Sequence, residues 1–180
     1  MARIIPVDRS NPPAAVAPQL AAIKAKIGKV PNVLATLAHS PAALGSYLAV
    51  TGALAGGALS AKDRERIALA VAQANGCDYC LSAHSLSGKA VGLSETEVLV
   101  ARAGQPEEPR SNAIVTLARS IVENRGRVPT VVIEAVRAAG LDDAIILEVL
   151  ANTVGGILTN YANNLIETDL DFPRAPALPS

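Results

Sequence analysis

The stretch SAKDRERIALAVAQANGCDYCLSAH, residues 60–84, decides how this chain folds and what chemistry it can carry. Ser60 is a good helix N-cap, and Asp63 stands at approximate capping-box spacing. The run Ile67-Ala68-Leu69-Ala70-Val71-Ala72 is apolar on every side, which places its helix in the core. Asn75-Gly76 ends that helix. A second helix begins at once, near Cys77 or Asp78, and runs to Val91 with Gly92 as its stop. With Gly76 as hinge, the two form an antiparallel hairpin.

On the second helix Cys77, Cys80 and His84 fall at i, i+3 and i+7 and share one face. At that spacing the imidazole can take the thiol proton and then stabilise the thiolate. Glu65 lies about 16 Å before the hinge and His84 about 12 Å after it, at about 1.5 Å per residue. The heights nearly match, so the carboxylate is expected to meet the imidazole across the interface. A Glu beside a buried helix is expensive unless paired, and a Glu65–His84–Cys80 relay follows. A base within reach outweighs the helix dipole at the first turn. Cys80 is therefore the expected nucleophile and Cys77 the resolving thiol.

Other readings of the same residues stand beside this one. Two thiolates, His84 and Glu65 could hold zinc, although structural zinc sites usually draw ligands from loops or separate elements. The pair could also be inert or merely sense redox state, and Glu65 could simply pair with Arg64 or Arg66. Tyr79 reads as a pocket wall and His39 as a helix-end residue without chemistry. Tyr47, Asn160 and Tyr161 could line a pocket, but their spacing does not say so.

Working outward, helices are expected over 14–27, 31–39, 41–54, 110–124, 130–139 and 142–167, with one more opened by Ser94 and Glu97 at capping-box spacing. Gly92-Leu93-Ser94 and Gly140-Leu141-Asp142 both read as a helix stop followed by a cap. Residues 1–13 read as an extended arm. The tail, 169–180, reads as extended and as reaching a neighbouring subunit. Residues 30–61 contain no Lys, Arg, Asp or Glu, but prolines and glycines interrupt them. They are expected to form a buried helical hairpin rather than a membrane span. Gly155-Gly156 marks close helix packing.

Composition fits an all-α fold. The 180 residues suit one domain spanning 1–180. There are 34 alanines but only three Tyr, one Phe and no Trp, a poor match for strands. Formal net charge is +0, with 16 basic and 16 acidic residues, so no nucleic-acid partner is expected. Two cysteines three apart do not make a secreted disulfide scaffold, and the N-terminus lacks the apolar core of a signal peptide. A cytoplasmic location is expected, with no membrane partner.

The pattern Glu65…Cys77-x-x-Cys80-x-x-x-His84 resembles the active-site signature of the alkylhydroperoxidase D-like proteins, within the carboxymuconolactone decarboxylase superfamily. The resemblance is specific over about 60–98 and weaker through 28–57. It implies an all-helical fold assembled into homotrimers or homohexamers, and thiol-dependent peroxidase or disulfide oxidoreductase chemistry. By position, Cys80 reduces a hydroperoxide and becomes a sulfenic acid, and Cys77 closes the disulfide. His84 then shuttles protons and Glu65 orients it. An external dithiol, such as a dihydrolipoyl group, restores the pair, with neither metal nor organic cofactor required. The best-known members place a histidine just before the second cysteine, where this chain has Tyr79. Lactone-decarboxylating members generally lack the cysteine pair, which argues against lyase activity here.

Overall fold

A computed structural model describes residues 1–178, and nine α-helices make up their regular structure, with no strand among them. In order they are α1 (Ala17–Ile27), α2 (Asn32–Leu37), α3 (Pro41–Ala55), α4 (Ala61–Ala74), α5 (Asp78–Ala90), α6 (Glu95–Ala103), α7 (Pro109–Glu123), α8 (Thr130–Ala138) and α9 (Asp143–Ile166). Helix α4 is the axis around which α5, α6, α7 and α9 pack. Its Ile67, Leu69, Ala70, Val71 and Ala72 are all buried, as an all-round apolar run requires.

Local chemistry sets the boundaries. The Ser60 hydroxyl accepts the Asp63 amide at 3.1 Å, so the cap is real. The Asp63 carboxylate, however, accepts a hydrogen bond from the Ser60 hydroxyl at 2.8 Å instead of completing the box through the backbone. It also pairs with Arg66 and Arg110, tying α4 to α7. At α6 the capping box of Ser94 and Glu97 is complete. Gly76 turns the α4–α5 hairpin at φ +61°, a left-handed conformation that a side chain would strain. Both punctuation triplets behave alike: Leu93 and Leu141 are buried, and Ser94 and Asp142 cap the next helix.

Two expectations need correction. The charge-free stretch is helical, but α3 is not buried within this chain; Leu44 is its only buried residue. Its neighbour α9 is likewise open along one side. Leu147, Leu150, Val154, Leu158, Tyr161 and Leu165 recur every three or four residues and are all exposed. By length and composition alone α9 could cross a membrane. Second, the tail folds back onto its own chain rather than reaching away from it. Phe172 packs edge-on against Tyr79, with ring centroids 5.5 Å apart, and Asp171 accepts the Tyr79 hydroxyl at 2.6 Å. Ser82 and Arg102 hold the tail further along, at Ala175 and Pro176. Residues 179 and 180 of the expected tail lie outside the described residues.

The arm is pinned too. Val7 is buried and donates to Ala35, and Arg3 donates to the end of α9 at Ile166. His39 is indeed at a helix end, where its Nε2 lies 2.8 Å from the Ile5 carbonyl and fastens the arm. The packed interior divides into two main clusters. One gathers the arm, α1, α2, the start of α5 and the tail; the other gathers α4, α7, α8 and α9. Gly156 lets α9 approach α4, since a Cβ there would lie 3.2 Å from Val71 Cγ1.

Candidate functional site

The hairpin delivers its two faces as the spacing predicts. His84 Nδ1 lies 2.8 Å from Glu65 Oε2, joining α5 to α4. The Ser87 hydroxyl, one turn on, donates to the same oxygen at 2.8 Å. Glu65 thus has two partners for a charge that would be costly to bury alone. Burial pushes its pKa up, but His84, Ser87 and the Arg64 charge outweigh that and hold it below the usual carboxylate range. Burial equally opposes the imidazolium of His84, yet the Glu65 charge and hydrogen bond, helped by Cys80, raise its pKa above the usual 6.5. Glu65 does not pair with Arg66, which is committed to Asp63 and Glu97.

Both cysteines are free thiols buried at the start of α5. Cys77 is the N-cap residue, its sulfur accepting the Cys80 amide at 3.2 Å. Cys80 sits one turn inside. The Cys77 thiol donates to the Cys80 sulfur, and with help from His84, Asn160 and Asn163 this overcomes burial and lowers the Cys80 pKa to about 7. The same hydrogen bond, together with burial, drives the Cys77 thiol strongly upward. Of the two, Cys80 is therefore the more acidic thiol.

The third leg of the relay differs from expectation. Among the described residues the Cys80 sulfur takes a hydrogen bond from the Asn163 amide and none from the imidazole, and the influence of His84 on it is one of charge. His84 Nδ1 is turned to Glu65, so Nε2 is the nitrogen left for proton exchange. Asn163 Nδ2 lies 3.2 Å from Cys80 Sγ, and Asn160 is oriented by Asn75, which donates to its Oδ1 at 2.9 Å. Asn163 went unnoticed in the sequence, and Asn160 stood there without a role. The available signal was two amides three residues apart, on one face of α9. Asn163 Oδ1 is buried with no hydrogen-bond partner, an unfilled acceptor beside the sulfur.

Cys80, His84, Glu65 and Asn163 line a cavity of about 290 Å³ whose other walls include Val33, Leu34, Tyr79 and Phe172. Tyr79 is thus a wall, with its hydroxyl held by Asp171 and its pKa pushed up by burial and that hydrogen bond. Tyr47 also faces the cavity, and burial beside Cys80 and Glu65 raises its pKa. Tyr161 is exposed and takes no part. Among the described residues no three His, Cys, Asp or Glu side chains converge as a metal site would require, because Glu65 meets His84 while Cys77 turns inward as a cap.

Residues 41–106 match the carboxymuconolactone decarboxylase family. No curated protein matches the chain by sequence. Among solved structures, the alkylhydroperoxidase AhpD core protein of Ralstonia eutropha JMP134, described as an uncharacterised peroxidase-related protein, is 26% identical. It superposes with a TM-score of 0.85, covering 94% of this chain and 92% of that one. A peroxidase-related protein of Silicibacter sp. TM1040 is 22% identical with a TM-score of 0.80, covering 93% and 92%. The debrominase Bmp8, solved with 2,3,4-tribromopyrrole, shares the fold at 16% identity and a TM-score of 0.80, covering 94% and 91%.

Proposed function

We propose that the chain is an alkylhydroperoxidase D-like member of the carboxymuconolactone decarboxylase superfamily and that within it the protein works as a thiol-dependent peroxidase. The observation that carries this reading is the hydrogen-bonded Glu65–His84 pair lining one cavity with the free thiol of Cys80. The Cys80 thiolate attacks the terminal oxygen of a hydroperoxide and the O–O bond breaks. Cys80 becomes a sulfenic acid, and the departing alkoxide takes a proton from His84 Nε2 to leave as an alcohol. Glu65 stabilises the imidazolium that supplies that proton. In this reading Asn163 Oδ1, buried without a hydrogen-bond partner, accepts the hydroxyl of the sulfenic acid.

Cys77 then attacks the Cys80 sulfur. The S–O bond breaks, the Cys77 proton leaves with the hydroxyl as water, and the two sulfurs join. An external dithiol, a lipoyl-type carrier in our reading, reduces that disulfide, becomes a disulfide itself and returns the proton to His84. Such a cycle suits a reducing compartment, and we place the protein in the cytoplasm. The exposed apolar stripe of α9, beside the open α3, supports assembly with further copies as a trimer or hexamer. Light scattering tests the assembly, with Val154→Glu expected to shift it toward monomer.

The decisive measurement adds hydroperoxide to reduced protein and follows peroxide consumption and thiol loss by mass spectrometry. Cys80→Ser is expected to stop both. Peroxide consumption that survives Cys80→Ser ends this reading.

A further inference from the structure

We propose that a second chamber beside the thiols selects substrates bearing a carboxylate, and that Arg64 is the residue that takes it. The name of the electrophile rests on the peroxidase reading; the anion site does not. This chamber, about 210 Å³, is lined by Tyr47, Thr51, Arg64, Glu65, His84 and Asn152, among others. It shares Tyr47, Glu65, His84 and Thr159 with the thiol cavity, so the two meet at the catalytic pair. The thiol cavity is largely apolar away from Cys80, whereas the second chamber carries a guanidinium, hydroxyls and an amide. Together they make a slot with a reactive sulfur toward one end and a cation toward the other.

The charges there leave one vacancy. Arg64 is half-buried on α4, and one of its Nη1 hydrogens goes to the Leu59 carbonyl. Among the described residues it makes no ion pair, so most of its five N–H donors are unclaimed by any carboxylate. The two acids that feel its charge are already engaged. Glu65 is taken by His84 and Ser87, while Glu148 accepts the amides of Ala58 and Leu59 at 2.9 and 3.0 Å. The Glu148 charge offsets part of the Arg64 charge from a distance, but no carboxylate binds the guanidinium directly, which leaves Arg64 as the cationic donor of the chamber with N–H groups to spare. A planar guanidinium with parallel N–H groups matches a carboxylate in both charge and shape. The substrate class that fits is an organic acid carrying a hydroperoxide on an apolar chain, its acid end at Arg64 and its peroxide end at Cys80.

The test uses hexanoate and hexanamide, equal in length and differing in charge, as protectants of Cys80 against iodoacetamide in the reduced protein. Hexanoate is expected to protect at a concentration on the order of tenfold lower, the scale of one charge-assisted hydrogen bond. Arg64→Gln should erase the difference and Arg64→Lys should keep part of it. Equal protection by the two compounds in the wild-type protein overturns the proposal, and that comparison decides even if Arg64→Gln does not fold. In turnover, the ratio of kcat/KM for a hydroperoxy acid over its methyl ester should exceed one and fall on Arg64→Gln; an unchanged ratio also overturns it. If hexanoate protects selectively but no hydroperoxide oxidises Cys80, the anion site stands and the peroxidase reading falls. If acid and ester turn over equally without selective protection, the reverse holds.

Discussion

The cluster around Leu59, Ile67, Ile114, Leu117 and Val149 is helix packed on helix, whereas the cluster holding Cys77 and Cys80 is closed by an arm and a tail that are not helical. Helices satisfy their own backbone groups and lose them only together. The arm and tail depend on scattered bonds, such as Val7 to Ala35 and Ala175 to Ser82. Cys80 therefore lies under the part of the molecule that can be opened piecemeal, while Glu65 rides on the helical scaffold.

The sharpest break of that contrast is Leu117→Ala, a fully buried position in the helical cluster. It should cost about 2–5 kcal/mol in denaturant unfolding, with Cys80 reactivity unchanged in the molecules that remain folded. A loss near zero would show that this cluster is not the scaffold. Glu65→Gln acts across the seam between the clusters. Without the carboxylate, the His84 pKa falls and the Cys80 pKa rises from about 7. The midpoint of Cys80 alkylation against pH should move up by about one unit, roughly 1.4 kcal/mol.

The same pair sets a stability window. Glu65, with a depressed pKa, contributes stability above its ordinary 4.5, and that stability is lost as pH falls through the folded value. His84, with a raised pKa, contributes below its ordinary 6.5, and loses that contribution as pH rises through its folded value. Both contributions are complete between 4.5 and 6.5, so the stability gap between wild type and Glu65→Gln should be widest there; a gap that keeps growing above 6.5 contradicts the pairing.

Phe172→Ala probes the tail. It should cost about 1 kcal/mol, since the ring is only part-buried, yet raise the iodoacetamide rate at Cys80 several-fold. An unchanged rate would mean that the tail does not cover the sulfur. The smallest effect belongs to His39→Ala, within about 0.5 kcal/mol, read as faster exchange of the Val7 amide with little change elsewhere.

Most of the hairpin was legible because its determinants are local. Caps, glycines and the i, i+3, i+7 spacing fix α4, α5 and the Glu65–His84 contact within some twenty residues of chain. What the sequence withheld depends on distant partners. Asn163 reaches Cys80 across 83 positions, and nothing near either residue marks the meeting. The tail's contact with its own chain was hidden for a similar reason, since Asp171 meets Tyr79 across 92 positions. The hidden role of Cys77 as a cap has another origin: thiols rarely serve where Ser, Thr, Asp or Asn are preferred.

That cap has a practical corollary. The atom accepting the Cys80 amide proton is the one that would bond covalently to the Cys80 side chain on oxidation. In 15N-labelled protein the resonance of that single backbone N–H is thus a built-in gauge of the thiol couple, readable without any attached dye.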